Sequence, residues 1–74
     1  MNTTSQEKVE AFLVYLEEQL NLQNLSAPGF AKKMAVPKMT VYKWLRRESV
    51  MSLEKYYRAL QVLGISESLF IPSA

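Results

Sequence analysis

Seventy-four residues make one small domain, spanning 1–74, with a single core and little room for a catalytic cleft. Neither cysteine nor histidine occurs, which excludes disulfides, the usual zinc ligands and the commonest general base together. Net charge is only +2, but residues 32–47 carry Lys32, Lys33, Lys38, Lys43, Arg46 and Arg47 with no acid, between a segment of net −3 before them and one of net −1 after them.

The periodicity predicts four helices and a short fifth turn, with no repeat or linker. Thr4 followed by Glu7 forms a capping box. Behind it Val9, Phe12, Leu13, Leu16 and Leu20 recur at helical spacing, and the first helix is expected to end between Asn21 and Asn24. Glu7, Glu10, Glu17 and Glu18 on this helix read as charge complementing its dipole. Ser26 is the natural N-cap of a second helix, with Leu25 and Phe30 placed for a hydrophobic staple and Pro28 tolerated in the first turn. At 100° per residue Ala27, Ala31, Met34 and Ala35 share its inward face, with Phe30 at the edge. So many small side chains allow another helix to approach closely.

Ala35-Val36-Pro37 is a tight break, after which a third helix runs from about Lys38 to Arg47. With Val41 inward, Trp44 and Leu45 lie on the same side. Met39, Lys43 and Arg46 fall opposite, flanked by Thr40, Tyr42 and Arg47. The outward arc is therefore basic, with an aromatic ring and a thioether among the charges. Residues 48–51 read as a loop, and Ser52 caps a fourth helix whose stripe is Leu53, Tyr56 or Tyr57, Leu60 and Leu63. One of the two tyrosines belongs to the core and the other to a rim or a dimer contact. Gly64 stands where a left-handed residue ends a helix, with Ile65 for the accompanying contact. Ser66 caps one more turn, and Leu69-Phe70-Ile71 either folds back on the core or meets a second subunit.

The segment from Leu25 to Phe70 resembles the lambda-repressor and Cro-like helix-turn-helix domains. The resemblance is carried by Leu25-Ser26, Phe30-Ala31, Met34, Val36, Thr40-Val41, Trp44, Ser52-Leu53-Glu54, Ala59-Leu60 and Leu63-Gly64-Ile65. It covers about 45 residues, and the preceding helix fits the family's first. The sequence departs from that pattern at Ala27, where the family often has glutamine, at Pro28, and at Ala35, where glycine is usual and a right-handed conformation is expected instead.

The resemblance implies a compact all-α bundle of four or five short helices that binds operator DNA, usually as a homodimer, with the third helix in the major groove. Carried onto this sequence, Lys38, Met39, Tyr42 and Lys43 become the base readers. Lysine can donate to guanine O6 and N7, and methionine can pack on a thymine methyl. Phosphate contacts fall to Lys32, Lys33, Thr40, Arg46 and Arg47, to the N-terminus of the second helix at Ala27 and Gly29, and to the rim of Trp44, which is otherwise a core residue. Lys32 and Lys33 read equally well as a solvated face.

Two functions are compatible with this reading. The first is a small cytoplasmic, nucleoid-associated transcriptional repressor of bacterial or phage type. The second is a helical protein-interaction module, antitoxin-like or an assembly partner, that keeps the fold without specific DNA binding. Neither needs a cofactor, metal or small-molecule ligand, and nothing reads as catalytic, since no serine has a histidine to activate it. No apolar run approaches the roughly 20 residues of a membrane span. The polar start Met1-Asn2-Thr3-Thr4 does not read as a signal peptide, and Ser73 reads as a loop residue.

Overall fold

Hydroxyl side chains start three of the four helices in the computed structural model, which describes residues 4–72; Met1 to Thr3, Ser73 and Ala74 lie outside it. Thr4 Oγ1 accepts from the Glu7 N–H at 3.1 Å and begins α1 (Ser5–Asn21). Ser26 Oγ accepts from the Gly29 N–H at 3.1 Å and begins α2 (Ala27–Met34). Ser52 Oγ accepts from the Lys55 N–H at 3.2 Å and begins α4 (Leu53–Leu63). Between them α3 (Lys38–Leu45) starts at Pro37 with no side-chain cap, and a 3₁₀ turn (Glu67–Leu69) follows α4. The described residues are all-α, and no helix among them is long and apolar enough to cross a membrane.

All four helices also stop alike. Gln23, Ala35, Arg47 and Gly64 each take a left-handed conformation, with φ of 61°, 58°, 61° and 66°. The next residue's N–H then reaches back to the carbonyl five positions earlier: Asn24 to Gln19, Val36 to Ala31, Glu48 to Lys43 and Ile65 to Leu60, at 2.9–3.1 Å. These are Schellman endings, which satisfy carbonyls that a helix end otherwise leaves unpaired. Glycine occupies one of the four positions. Ala35 is thus left-handed and solvent-exposed, where a right-handed, inward-facing residue is expected from the sequence. Only that bend reverses the chain within the three residues joining α2 to α3. For the same reason α3 ends at Leu45 rather than Arg47.

The core forms around Phe12 of α1, whose ring lies 6.3 Å from Phe30, 5.8 Å from Tyr56 and 5.7 Å from Phe70, centroid to centroid. Leu13, Leu16, Ala27, Ala31, Met34, Val41, Trp44, Ala59 and Leu60 complete it. Each large apolar side chain buried here contributes about 1.5–3 kcal/mol. Small Ala27 and Ala31 let α2 pack against both α3 and α4. Phe30 is fully buried rather than marginal. Met51, in the loop, is core, while Leu53 is 39 % exposed despite its place in the apolar stripe of α4.

Of the two tyrosines, Tyr56 is buried and Tyr57 exposed. The Tyr56 hydroxyl donates to Glu67 Oε2 at 2.6 Å, and burial, first, with that carboxylate, second, raises its pKa well above the ordinary phenol value. Lys8 Nζ approaches the same carboxylate at 3.5 Å, tying α1 to the 3₁₀ turn. The apolar tail folds back: Phe70 packs on Phe12, Tyr15 and Tyr56, and Ile71 is buried. Leu69 alone of the three points outward, 57 % exposed.

Candidate nucleic-acid interface

Helix α3 has two unlike sides. Val41 and Trp44 are buried, with Leu45 and Thr40 partly covered beside them. Lys38, Met39, Tyr42, Lys43 and Arg46 are exposed. Positions 39, 42, 43 and 46 follow the i, i+3, i+4, i+7 spacing that aligns side chains along one helix face. Met39 is 51 % and Tyr42 37 % exposed, so neither is spent on the core. Three of the four residues expected to read bases, Met39, Tyr42 and Lys43, therefore share one solvent-facing stripe, and Lys38 is exposed at its edge.

Arg46 lies at the end of that stripe. Its Nε sits 2.5 Å from Glu48 Oε2 and its Nη2 4.0 Å from Met39 Sδ. Both charged side chains are about half exposed, and ion pairs in such settings are worth about 0–1 kcal/mol, so a competing phosphate can displace Glu48. Lys32 and Lys33 are exposed in the last turn of α2, where they also complement the helix dipole.

Four of the expected phosphate contacts have other occupations. Ala27 is buried. The Gly29 N–H is taken by Ser26 Oγ and the Phe30 N–H by the Ser26 carbonyl, while Pro28 has none to give, so little of the α2 N-terminus remains for an anion. Glycine at 29 is explained by that cap: a Cβ there would lie 2.7 Å from Ser26 Oγ. Trp44 is 4 % exposed and belongs to the core.

Arg47 departs furthest from expectation. Its left-handed backbone carries the side chain off the α3 stripe and onto α1. Nε donates to Glu10 Oε1 at 3.0 Å, Nη2 donates to Glu10 Oε2, and Nη1 donates to Glu17 Oε1 at 2.7 Å and to the Leu45 carbonyl at 2.6 Å. The hydrogen bond from Arg47 holds the Glu10 carboxyl below its ordinary pKa, and the two carboxylates hold the guanidinium more firmly protonated. Glu10 and Glu17, read from sequence as partners of a helix dipole, are ion-pair residues instead. Their seven-residue spacing places them on one side of α1, but nothing local to it names Arg47 as the partner. No group of three or more metal-ligating side chains occurs among the described residues.

Comparison of the chain with protein-family models, curated proteins and solved structures finds no match to any of them.

Proposed function

We propose that this protein binds double-stranded DNA sequence-specifically, inserting α3 into the major groove, as a small repressor-type regulator of the lambda-repressor and Cro-like kind. The observation that carries the reading is the exposed, acid-free surface of Lys38, Met39, Tyr42, Lys43 and the C-cap Arg46, on a helix joined to α2 by three residues. A two-turn helix fits the groove's roughly 12 Å width and presents base-edge donors from one face. Lys38 and Lys43 supply donors for guanine, Met39 an apolar surface for a thymine methyl, and Tyr42 a hydroxyl for the groove wall or a phosphate. Lys32, Lys33 and Arg46 supply backbone contacts that orient the helix without reading sequence. Binding as a homodimer on a palindromic operator, in the cytoplasm, belongs to the same proposal.

Selection of bound duplexes from a random pool, followed by titration at several salt concentrations, tests it. Lys32, Lys33 and Arg46 offer three phosphate-neutralising cations per subunit, so log K is expected to fall against log salt with a slope of about −2.7 per subunit. A palindromic consensus with half-sites about one helical turn apart identifies the dimer. No enriched sequence together with a flat salt dependence refutes the proposal and favours a protein-interaction module.

A further inference from the structure

We infer that Arg47 is a positioning residue for DNA reading, which seats α3 against Glu10 and Glu17 of α1 and makes no phosphate contact itself. The inference rests on α3 being the helix that enters DNA.

Three observations lead to it. A guanidinium has five N–H donors, and here four hydrogen bonds already engage Nε, Nη1 and Nη2. Little is left to offer a phosphate. Two carboxylates surround one guanidinium, so the cluster is net −1 and repels a DNA strand rather than attracting it. The Leu45 carbonyl, which belongs to the orphan set of a helix C-terminus, is satisfied by the same guanidinium. The end of α3 is therefore attached to α1 by hydrogen bonds that span 30 and 37 residues of sequence.

The mechanical consequence follows from the size of α3. Of its eight residues only Val41 and Trp44 are fully buried, with Leu45 packed partly against the core, so its contact with the body of the protein spans about one turn and leaves room to pivot. A fork-shaped, two-carboxylate anchor at the C-terminal end removes that pivoting freedom. Bidentate arginine–carboxylate geometry is the arrangement in which an exposed ion pair adds orientation as well as energy. Base-edge hydrogen bonds tolerate little misplacement, whereas contacts to phosphates are more forgiving. Loss of the anchor is thus expected to damage sequence discrimination before it damages general DNA affinity.

The test uses the full chain, the duplex that the wild-type protein selects, and a random duplex of equal length. Arg47→Lys keeps the charge but not the planar fork, and Arg47→Ala removes both. The anchor predicts that both variants lose operator preference, measured as the ratio of the two affinities, by about tenfold, equivalent to about 1.4 kcal/mol. It also predicts an unchanged salt slope. In a Glu10→Gln, Glu17→Gln background the ratio is already reduced, and Arg47→Lys is expected to lower it less than about twofold further, because linked residues are not additive. A phosphate contact predicts the reverse: Arg47→Lys behaves as wild type, while Arg47→Ala lowers the slope by about 0.9 and weakens both duplexes alike. That result overturns the inference. Thermal melts establish that each variant is folded at the assay temperature. If Arg47→Lys is not, the Gln pair alone decides: a reduced ratio supports the anchor and an unchanged one overturns it. Wild-type protein without salt-dependent binding overturns the DNA reading and the anchor together, whereas failure of the anchor alone leaves wild-type binding and its slope intact.

Discussion

Replacing Ala35 by glycine is expected to stabilise this protein, although substitution by glycine usually does the opposite. Ala35 holds φ 58° and ψ 43° at the end of α2, a conformation in which a Cβ crowds the following carbonyl. That crowding costs an L-residue about 1–2 kcal/mol and glycine almost nothing. Against the relief stands the extra backbone freedom glycine has in the unfolded chain, worth about 0.4–1 kcal/mol. Ala35 is exposed, so deleting its methyl removes no core packing, and the bonds of its N–H to the Lys32 carbonyl and of the Val36 N–H to the Ala31 carbonyl are made by the backbone alone. The balance is a gain of about 0.5–1 kcal/mol, which for a domain of this size raises Tm by roughly 2–8 °C. Circular dichroism melts of wild type and Ala35→Gly measure it. Gly64 supplies the mirror experiment, since it has φ 66° in the same motif and open space where a Cβ would stand. Gly64→Ala is expected to lower stability by a similar amount. If Gly64→Ala destabilises while Ala35→Gly leaves Tm unchanged or lower, left-handed strain at Ala35 is not what limits stability, and the reasoning fails.

Other consequences follow from the same contacts. Phe12→Ala removes the ring on which Phe30, Tyr56 and Phe70 converge, and should cost about 3–5 kcal/mol by urea denaturation, enough to unfold most of the population of a marginal domain. The Glu10 carboxyl is held below its ordinary pKa of 4.5 by Arg47, so its contribution is complete above that value and disappears as pH falls through the lowered one. Because Glu10 is half exposed, the contribution is at most about 1 kcal/mol, and Glu10→Gln should flatten part of the acid limb in a stability–pH series. Tyr56 has a raised pKa, so stability should decline once pH exceeds the ordinary phenol value of 10, and Tyr56→Phe should remove that decline. In binding titrations Lys43→Ala should relax sequence preference by about 1–3 kcal/mol at one position, whereas Lys33→Ala should weaken operator and random DNA equally.

Hydrogen bonds that close within three or four residues were legible without coordinates. Thr4, Ser26 and Ser52 begin helices because each hydroxyl sits beside the donor it satisfies, and Gly64 ends one because only glycine takes that bend without cost. The stripes of α1 and α3 follow from helical geometry alone, so Phe12, Leu16, Val41 and Trp44 face inward and Lys43 outward. Propensity carries no trace of the left-handed Gln23, Ala35 and Arg47, since each is strained by itself and held there by the packing of the helices it joins. Met51 in the loop is buried and Leu53 in the apolar stripe of α4 is 39 % exposed, a reversal that helical spacing does not encode because it depends on how the elements pack together. Arg47 belongs to the basic run as a sequence and to α1 as a structure. Its partners lie 37 and 30 residues away, and only the folded chain brings their charges within reach of one another.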